Sequence, residues 1–391
     1  ESNKLSLVDN LEPIQESDLT DDGNLAVEFE VAIDLYGQYH PSGADVLCRI
    51  GRNQSDRGET DSALNTYREA QSIYCAALGD HDMRTLDTRT AIAHLLLKLG
   101  ELNEGIGLLY QVLYMKKAIL GDQHTDVCDL LEELSRLLHE DGKVAASLKE
   151  LKNCLKVYRD KQGDKNPKVA GMIEQVALMY MELKEYGKAK SIMIEVVKLR
   201  KAVSGEEHSD VARAFLGLGS CYKELGNETN ALNCLKKAYF IYVKNEGFES
   251  IGTADALDTI GQVYLLMNQE EKATKALTRV IGMRKKVFGN NSPEVADSFL
   301  SLGIALKECL AYEKAMKCFQ RAITIYVILD RGMDDAIPLS NILYEIFLTH
   351  RACGELDNAL QLSSQILTLR KQTLGNNHLE NAALLRSTGN I

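Results

Sequence analysis

The sequence lacks an apolar run that approaches the roughly 20 residues a membrane-spanning helix needs. Its first residues also do not resemble a secretory signal. We therefore expect no insertion into a membrane. The chain begins with Glu1 rather than with methionine, so the sequence alone is compatible with a targeting segment that has been removed.

The sequence has no closely spaced cysteine pair of the CxxC type. Its nine cysteines are odd in number, scattered, and mostly placed within apolar segments. A free thiol in such a segment behaves as a small hydrophobic side chain. We therefore expect free cysteines and a reducing compartment, either the cytoplasm or the interior of an organelle.

Negative charge is concentrated at one end of the sequence, where positive charge is scarce. The formal net charge is −11, and residues 1–36 carry ten acidic residues against the single base Lys4. The remaining residues are therefore close to neutral, without the basic stripe that nucleic-acid binding requires. From this we expect no nucleic-acid partner.

The sequence does have a glycine that recurs every 42 residues, beginning with Gly37 and Gly79. A second series of small residues keeps the same spacing, and a period of this length indicates stacked repeats. The glycines are Gly37, Gly79, Gly121, Gly163, Gly205, Gly247 and Gly289. The second series is Ala63, Gly105, Ser147, Ala189, Ala231, Ala273 and Ala315.

Each period reads as two helices with a tight turn between them. In residues 166–205, Asn166 and Pro167 are typical of a helix start, and apolar residues then follow at helical spacing. The turn falls at one repeated position, where five of the seven residues are Gly or Asn, which tolerate a positive φ. These residues are Gly58, Gly100, Gly142, Lys184, Gly226, Asn268 and Leu310.

The order of small and aromatic positions resembles the tetratricopeptide repeat (TPR). In one period the matching residues are Ala177, Tyr180, Ala189, Met193 and Val196. The 42-residue period and the Leu-Gly or Phe-Gly exit are similar to the kinesin-light-chain subtype. The resemblance implies an all-α, right-handed α-solenoid of about eight helical hairpins.

This interpretation divides the chain into four parts. We expect an acidic arm, disordered or extended, over 1–24 and a degenerate capping helix over 25–36. An array over 37–375 follows, and 376–391 forms a capping helix or a truncated repeat. The predicted units start near 37, 79, 121, 163, 205, 247, 289 and 332.

We find no phosphate loop, nucleophile elbow or zinc-binding motif in the sequence. His40, His124, His208 and His378 occupy one repeated position. Neighbouring helices pack about 8–10 Å apart, so histidines in separate units are too far apart to share an ion. We expect them to cap the helices that follow, and we expect no catalytic, cofactor or metal site.

The resemblance places the first helix of each repeat along a concave groove, where a partner would bind. One candidate column is rich in Asp, which the helix dipole alone would also favour at a helix start by about 0.3–1 kcal/mol. A binding role would suit a basic or mixed-charge peptide. The candidate residues are Asp45, Arg52, Asp87, His94, Asp129, Glu132, Arg136, Glu174, Arg213, Asp255, Asp258 and Asp297.

The sequence thus predicts a non-enzymatic scaffold or adaptor that binds proteins or peptides in its groove. An alternative is a structural subunit built into a larger complex through its convex face. A kinesin-type cargo adaptor is disfavoured, since Glu174-Gln175 and Leu216-Gly217 stand where kinesin light chains carry paired asparagines. No heptad coiled coil precedes the array either.

Overall fold

The computed structural model describes residues 21–163, 166–329, 336–374 and 379–389. These residues form eighteen helices and no strand, which confirms the predicted all-α solenoid of paired helices. The helices are α1 (Asp21–Tyr36), α2 (Pro41–Asp56), α3 (Thr60–Leu78), α4 (Met83–Lys98), α5 (Leu102–Leu120), α6 (Thr125–Glu140), α7 (Val144–Gln162), α8 (Pro167–Glu182), α9 (Tyr186–Ser204), α10 (Ser209–Glu224), α11 (Glu228–Glu246), α12 (Ile251–Leu266), α13 (Glu270–Phe288), α14 (Pro293–Glu308), α15 (Tyr312–Leu329), α16 (Ala336–Ala352), α17 (Leu356–Leu374) and α18 (Leu379–Thr388).

From α2 onwards the helices pair into hairpins, and we call the first helix of each hairpin helix A and the second helix B. The predicted turn position between them has a positive φ in every hairpin. At Gly58 the turn closes in the usual way for a helix end, with the Glu59 amide donating to the Gln54 carbonyl at 2.9 Å. Lys184, Asn268 and Leu310 adopt the same conformation with φ of 59°, 54° and 58°.

The column of small residues lies where helix B crosses helix A. Every alanine and the serine of this column is fully buried, from Ala63 to Ala315. Gly105 shows why size is limited, because an added Cβ would lie 2.8 Å from the Leu97 side chain and 3.1 Å from the Ala93 carbonyl oxygen. The small residues therefore let the two helices of a hairpin pack closely.

Helix A begins at a repeated capping residue, as the sequence predicts for the histidines. His40, His124 and His208 each accept a hydrogen bond through Nδ1 from the backbone amide two residues later, at 3.1–3.2 Å. His378 lies outside the described residues. The same position caps other hairpins through Asp82, Asn166, Ser250 and Ser292. The sequence motif and the local structure therefore agree.

The chain divides into two compact units, residues 1–163 and 164–391. In the N-terminal unit the core includes Leu47, Ile73, Tyr74, Ile92 and Leu96. The C-terminal unit has its own clusters, and Phe319 and Phe347 are its largest fully buried side chains. Each unit thus has a core formed between successive hairpins.

The ends of the array differ somewhat from the predicted boundaries. Helix α1 begins at Asp21, within the predicted arm, rather than at residue 25. Residues 1–20 of the predicted arm and the predicted unit start at 332 lie outside the described residues. At the other end, α18 occupies most of the predicted capping segment.

Candidate functional site

Aspartates occupy one repeat position of the A helices, one turn into the helix, and helix B of the same hairpin supplies a hydrogen-bond donor to each. We call this position the Asp column, and its aspartates are Asp45, Asp87, Asp129, Asp255 and Asp297. In the N-terminal unit, the Tyr74 hydroxyl donates to Asp45 and Lys116 Nζ lies 2.8 Å from Asp87. The Tyr158 hydroxyl donates to Asp129 at 3.4 Å. These three candidate acids are thus already partnered within the fold.

The donors form a column of their own, which the sequence analysis missed. Each donor occupies the same repeat position on helix B, and along the chain this position alternates between tyrosine and a cation. The residues at this position are Tyr74, Lys116, Tyr158, Arg200, Tyr242, Arg284, Tyr326 and Arg370. Its members are buried or nearly so. An alternation with a period of two repeats would have been the signal in the sequence.

Around Arg200 the acid lies one turn later than elsewhere. Gly171 occupies the usual position of the acid, and a Cβ there would lie 3.8 Å from Arg200 Nη2. Arg200 donates instead to Glu174 at 2.9 Å, and both side chains are only 9% exposed. The exposed guanidinium of Arg213 also donates to Glu174, at 2.8 Å. Two of the predicted binding residues, Glu174 and Arg213, therefore form one ion-pair network with Arg200.

A second network surrounds Arg284 on α13. Its guanidinium contacts Asp255 at 2.7 Å, Asp258 at 3.3 Å and the Ser298 hydroxyl at 2.8 Å. Burial raises the pKa of Asp258 despite the attraction of Arg284, and Oδ1 of Asp258 has no hydrogen-bond partner among the described atoms. In the next hairpin, burial likewise raises the pKa of Asp297, which accepts a hydrogen bond from the Tyr326 hydroxyl at 2.7 Å.

The remaining predicted residues lie further along the A helices. His94 Nε2 lies 2.8 Å from Glu133, and this hydrogen bond lowers the pKa of that carboxyl. Arg136 is exposed and pairs with Glu140 on its own helix at 2.8 Å. Arg52 is exposed near Tyr67, and Glu132 is half-buried. The structure brings the twelve predicted residues into separate local pairs and networks rather than into one site.

A groove in the C-terminal unit lies along the A helices α10, α12 and α14. Its volume is about 840 Å³. Leu265, Leu266, Leu300 and Ile304 supply its apolar surface, and Leu266 is 53% exposed. None of the twelve predicted residues lines it. The polar and glycine lining comprises Lys223, Glu224, Gly226, Glu228, Gln262, Asn268, Ser301 and Glu308.

The charges around the groove are mostly negative. Lys223 is its one cation, and Lys223 pairs with Glu224 at 3.0 Å and donates to Gln262 at 2.8 Å. Three glutamates also line the groove: Glu224, Glu228 and Glu308. The lining offers apolar contact and hydrogen bonds. Among the described residues, no group of three or more His, Cys, Asp or Glu side chains could hold a metal ion.

Comparison with protein families gives the decisive match. Two models of the tetratricopeptide repeat match the chain, one over residues 168–244 and the other over 85–126 and 253–294. Each of the two shorter matches spans one period of the glycine series. The chain contains tetratricopeptide repeats. No curated protein matches its sequence significantly.

Several solved structures are similar to this chain at low sequence identity. A putative kinesin light chain repeat protein from Podosopora anserina is 19% identical, with 53% of this chain and 98% of that chain covered and a TM-score of 0.44. BtubC (BKLC) from P. vanneervenii is 18% identical, with 61% and 92% covered and a TM-score of 0.48. A signal-transduction ATPase with a tetratricopeptide repeat sensor from Pyrococcus horikoshii is 17% identical, with 78% and 47% covered and a TM-score of 0.50.

TPR repeats are in general modules that bind other proteins or peptides rather than catalytic domains. In this chain the groove along α10, α12 and α14 belongs to the A helices. No helix in the described part of the chain is long and apolar enough to cross a membrane.

Proposed function

We propose that the protein is a non-enzymatic scaffold that holds a segment of a partner protein in the groove along α10, α12 and α14. The observation that carries this proposal is the apolar surface formed by the exposed Leu266 and the half-buried Ile304, within a groove of about 840 Å³. Apolar anchors in a pocket with a polar rim are the usual source of affinity in peptide recognition. We expect this scaffold to work in a reducing compartment, because its nine cysteines are all free.

The predicted acids are then supporting residues rather than the main contacts. Asp255 and Asp258 hold Arg284, and Glu174 holds Arg200, so their charges are largely engaged within the fold. Changing them would perturb the helices that shape the groove. A clean test therefore uses residues that line the groove and make few internal contacts.

Leu266 and Ser301 meet this requirement. Leu266 is 53% exposed, and the half-buried Ser301 lies on the groove wall. In affinity capture with mass spectrometry, Leu266→Glu and Ser301→Trp should each deplete the same partners, the first by charge and the second by filling the groove. Leu360→Glu is the matched control, since Leu360 is 44% exposed on α17, away from the groove. Partners that persist with both groove variants would contradict the proposal.

The alternative of a structural subunit rests on exposed aromatic side chains of the B helices. Tyr114 and Phe240 occupy equivalent positions in their repeats, three periods apart, and are 77% and 65% exposed. Large exposed apolar side chains can mark a protein interface. If Phe240→Glu released the protein from a complex while Leu266→Glu did not, the B-helix face rather than the groove would be the binding site.

A further inference from the structure

A second surface of the C-terminal unit, outside the groove, is strongly basic. The B helices α11, α13 and α15 carry twelve lysines and arginines against five acidic residues. The A helices α10, α12 and α14 carry three against seven. A and B helices alternate along the chain. The positive charge of the B helices and the negative charge of the A helices therefore largely cancel when summed along the sequence, and they separate only in the folded structure.

The few acids of these B helices stand at helix ends. Four lie in first turns, where the helix dipole favours them, and Glu246 is the last residue of α11. Residues 229–245, 272–288 and 314–329 therefore contain no acid at all. The dipole favours cations only in the last turn, so it does not account for those in the middle of each helix.

Three of these central cations occupy one repeat position. Lys237, Arg279 and Arg321 follow one another at the spacing of the repeat, and the first two are exposed. Within the described residues, no carboxylate forms an ion pair with any of the three. By contrast, Lys244 and Lys286 near the helix ends pair with glutamates of the preceding turns. The central row thus keeps its charge uncompensated.

Aromatic side chains lie among these cations. Phe240 is 65% exposed on α11, one turn from Lys237, and Phe248 is 58% exposed in the turn that follows. The Arg279 guanidinium lies 5.7 Å from the centre of the Phe248 ring. The surface therefore offers both positive charge and apolar contact, a combination suited to an acidic peptide that also carries apolar side chains.

We propose that this basic surface of α11, α13 and α15 binds an acidic segment of a partner protein. A protein segment fits better than nucleic acid because the A helices of the same hairpins carry a net negative charge, with seven acids against three bases. A long polyanion such as nucleic acid experiences that field over its length, whereas a short acidic segment meets the local cations within a Debye length of about 8–10 Å. This proposal is independent of the groove, since it uses the opposite helices of the same hairpins.

The test measures binding of a fluorescein-labelled synthetic peptide of glutamates with a leucine at every fourth position, by fluorescence anisotropy. The variant K237E/R279E/R321E reverses the central row. The matched control R68E/K149E/K156E reverses three exposed cations on B helices of the N-terminal unit, with the same change in net charge. The neutral variant K237Q/R279Q/R321Q separates loss of attraction from added repulsion, and circular dichroism checks that each variant is folded.

We expect reversal of the central row to weaken peptide binding by roughly tenfold or more, since several exposed pairs are lost together. The affinity of the neutral variant for the peptide should fall between those of the unmodified protein and the charge-reversed variant. The control should bind within about twofold of the unmodified protein, and added salt should weaken binding. Leu266→Glu should bind the acidic peptide normally, so failure of the groove proposal would leave this result unchanged. Equal binding by the reversed variant would overturn the inference. Binding of oligothymidylate but not of the peptide would also overturn it, in favour of nucleic acid.

Discussion

Removing the carboxylate of Glu174 should destabilise the C-terminal unit far more than removing an exposed acid. Glu174 is 9% exposed and accepts hydrogen bonds from Arg200 at 2.9 Å and from Arg213 at 2.8 Å. In Glu174→Ala the equally buried guanidinium of Arg200 would lose its nearest carboxylate. An uncompensated buried charge of this kind costs about 3–5 kcal/mol.

Two contacts modify that magnitude. In the variant, Arg200 still has the carboxylate of Asp210 at 3.4 Å. Arg213 is 53% exposed, so water can solvate its guanidinium. We therefore expect the low end of the range, about 3 kcal/mol. Replacing both partners, in Glu174→Leu with Arg200→Met, should recover most of the loss, because neither charge then remains buried.

Hydrogen exchange of the amides of α8, α9 and α10 is the appropriate assay, because repeat arrays open locally rather than all at once. Glu206→Ala is the control, since Glu206 is 78% exposed and its pair with Lys201 should contribute less than about 1 kcal/mol. If Glu174→Ala changed the opening free energy by no more than this control, the buried-pair reasoning would be refuted.

Three further predictions concern single residues. His124→Ala should cost about 1 kcal/mol in thermal unfolding, and His124→Asn should cost much less, because asparagine keeps a cap acceptor for the α6 amide; equal losses would contradict the capping role. The raised pKa of Asp258 means that the folded state binds its proton more readily, so stability should rise as the pH falls from neutral through that pKa. Asp258→Asn should reduce this rise in a melting series and leave the part that the raised pKa of Asp297 contributes, while the Arg284–Asp255 ion pair remains. An unchanged pH profile would disprove the assignment. Leu310→Gly should stabilise the chain by up to about 1 kcal/mol in denaturant unfolding, because Leu310 is 72% exposed at a positive φ, whereas a loss of stability would show that its side chain packs.

Much of the fold could be predicted from the sequence because the repeat imposes the same requirement seven times. A buried crossing needs a small residue, as at Ala231, and a turn needs a residue that tolerates a positive φ, as at Gly226. The capping position needs a side-chain acceptor, which His208 supplies. Each requirement is local, so each leaves a column in the sequence.

The donors of helix B could not be predicted in the same way. Tyr326 and Arg284 occupy one repeat position but belong to different residue classes. The acids that they contact lie on helix A, far from the donors in sequence. The groove was missed for a different reason. Its apolar contacts come from residues such as Leu266 and Ile304, and apolar positions on a helix resemble core positions until their exposure is known.

The basic surface could not be predicted either, because the separation of positive from negative charge is visible only in the fold. Summed along the chain, the lysines and arginines of α13 are offset by acids elsewhere, including those of residues 1–36. The basic residues of the B helices are distinguished from the acidic residues of the A helices only when each residue is assigned to its helix. The expectation of a neutral array described the total charge rather than its distribution.

The central claim, that a partner segment lies in the groove along α10, α12 and α14, is tested most directly by photo-crosslinking. A photoreactive amino acid would replace Leu266 in the groove and, in a parallel protein, Leu360 on α17, and crosslinked partners would be identified by mass spectrometry. The account predicts that one partner crosslinks to a defined segment from position 266 and not from position 360. The same partners crosslinked equally from both positions, or none from position 266, would contradict it.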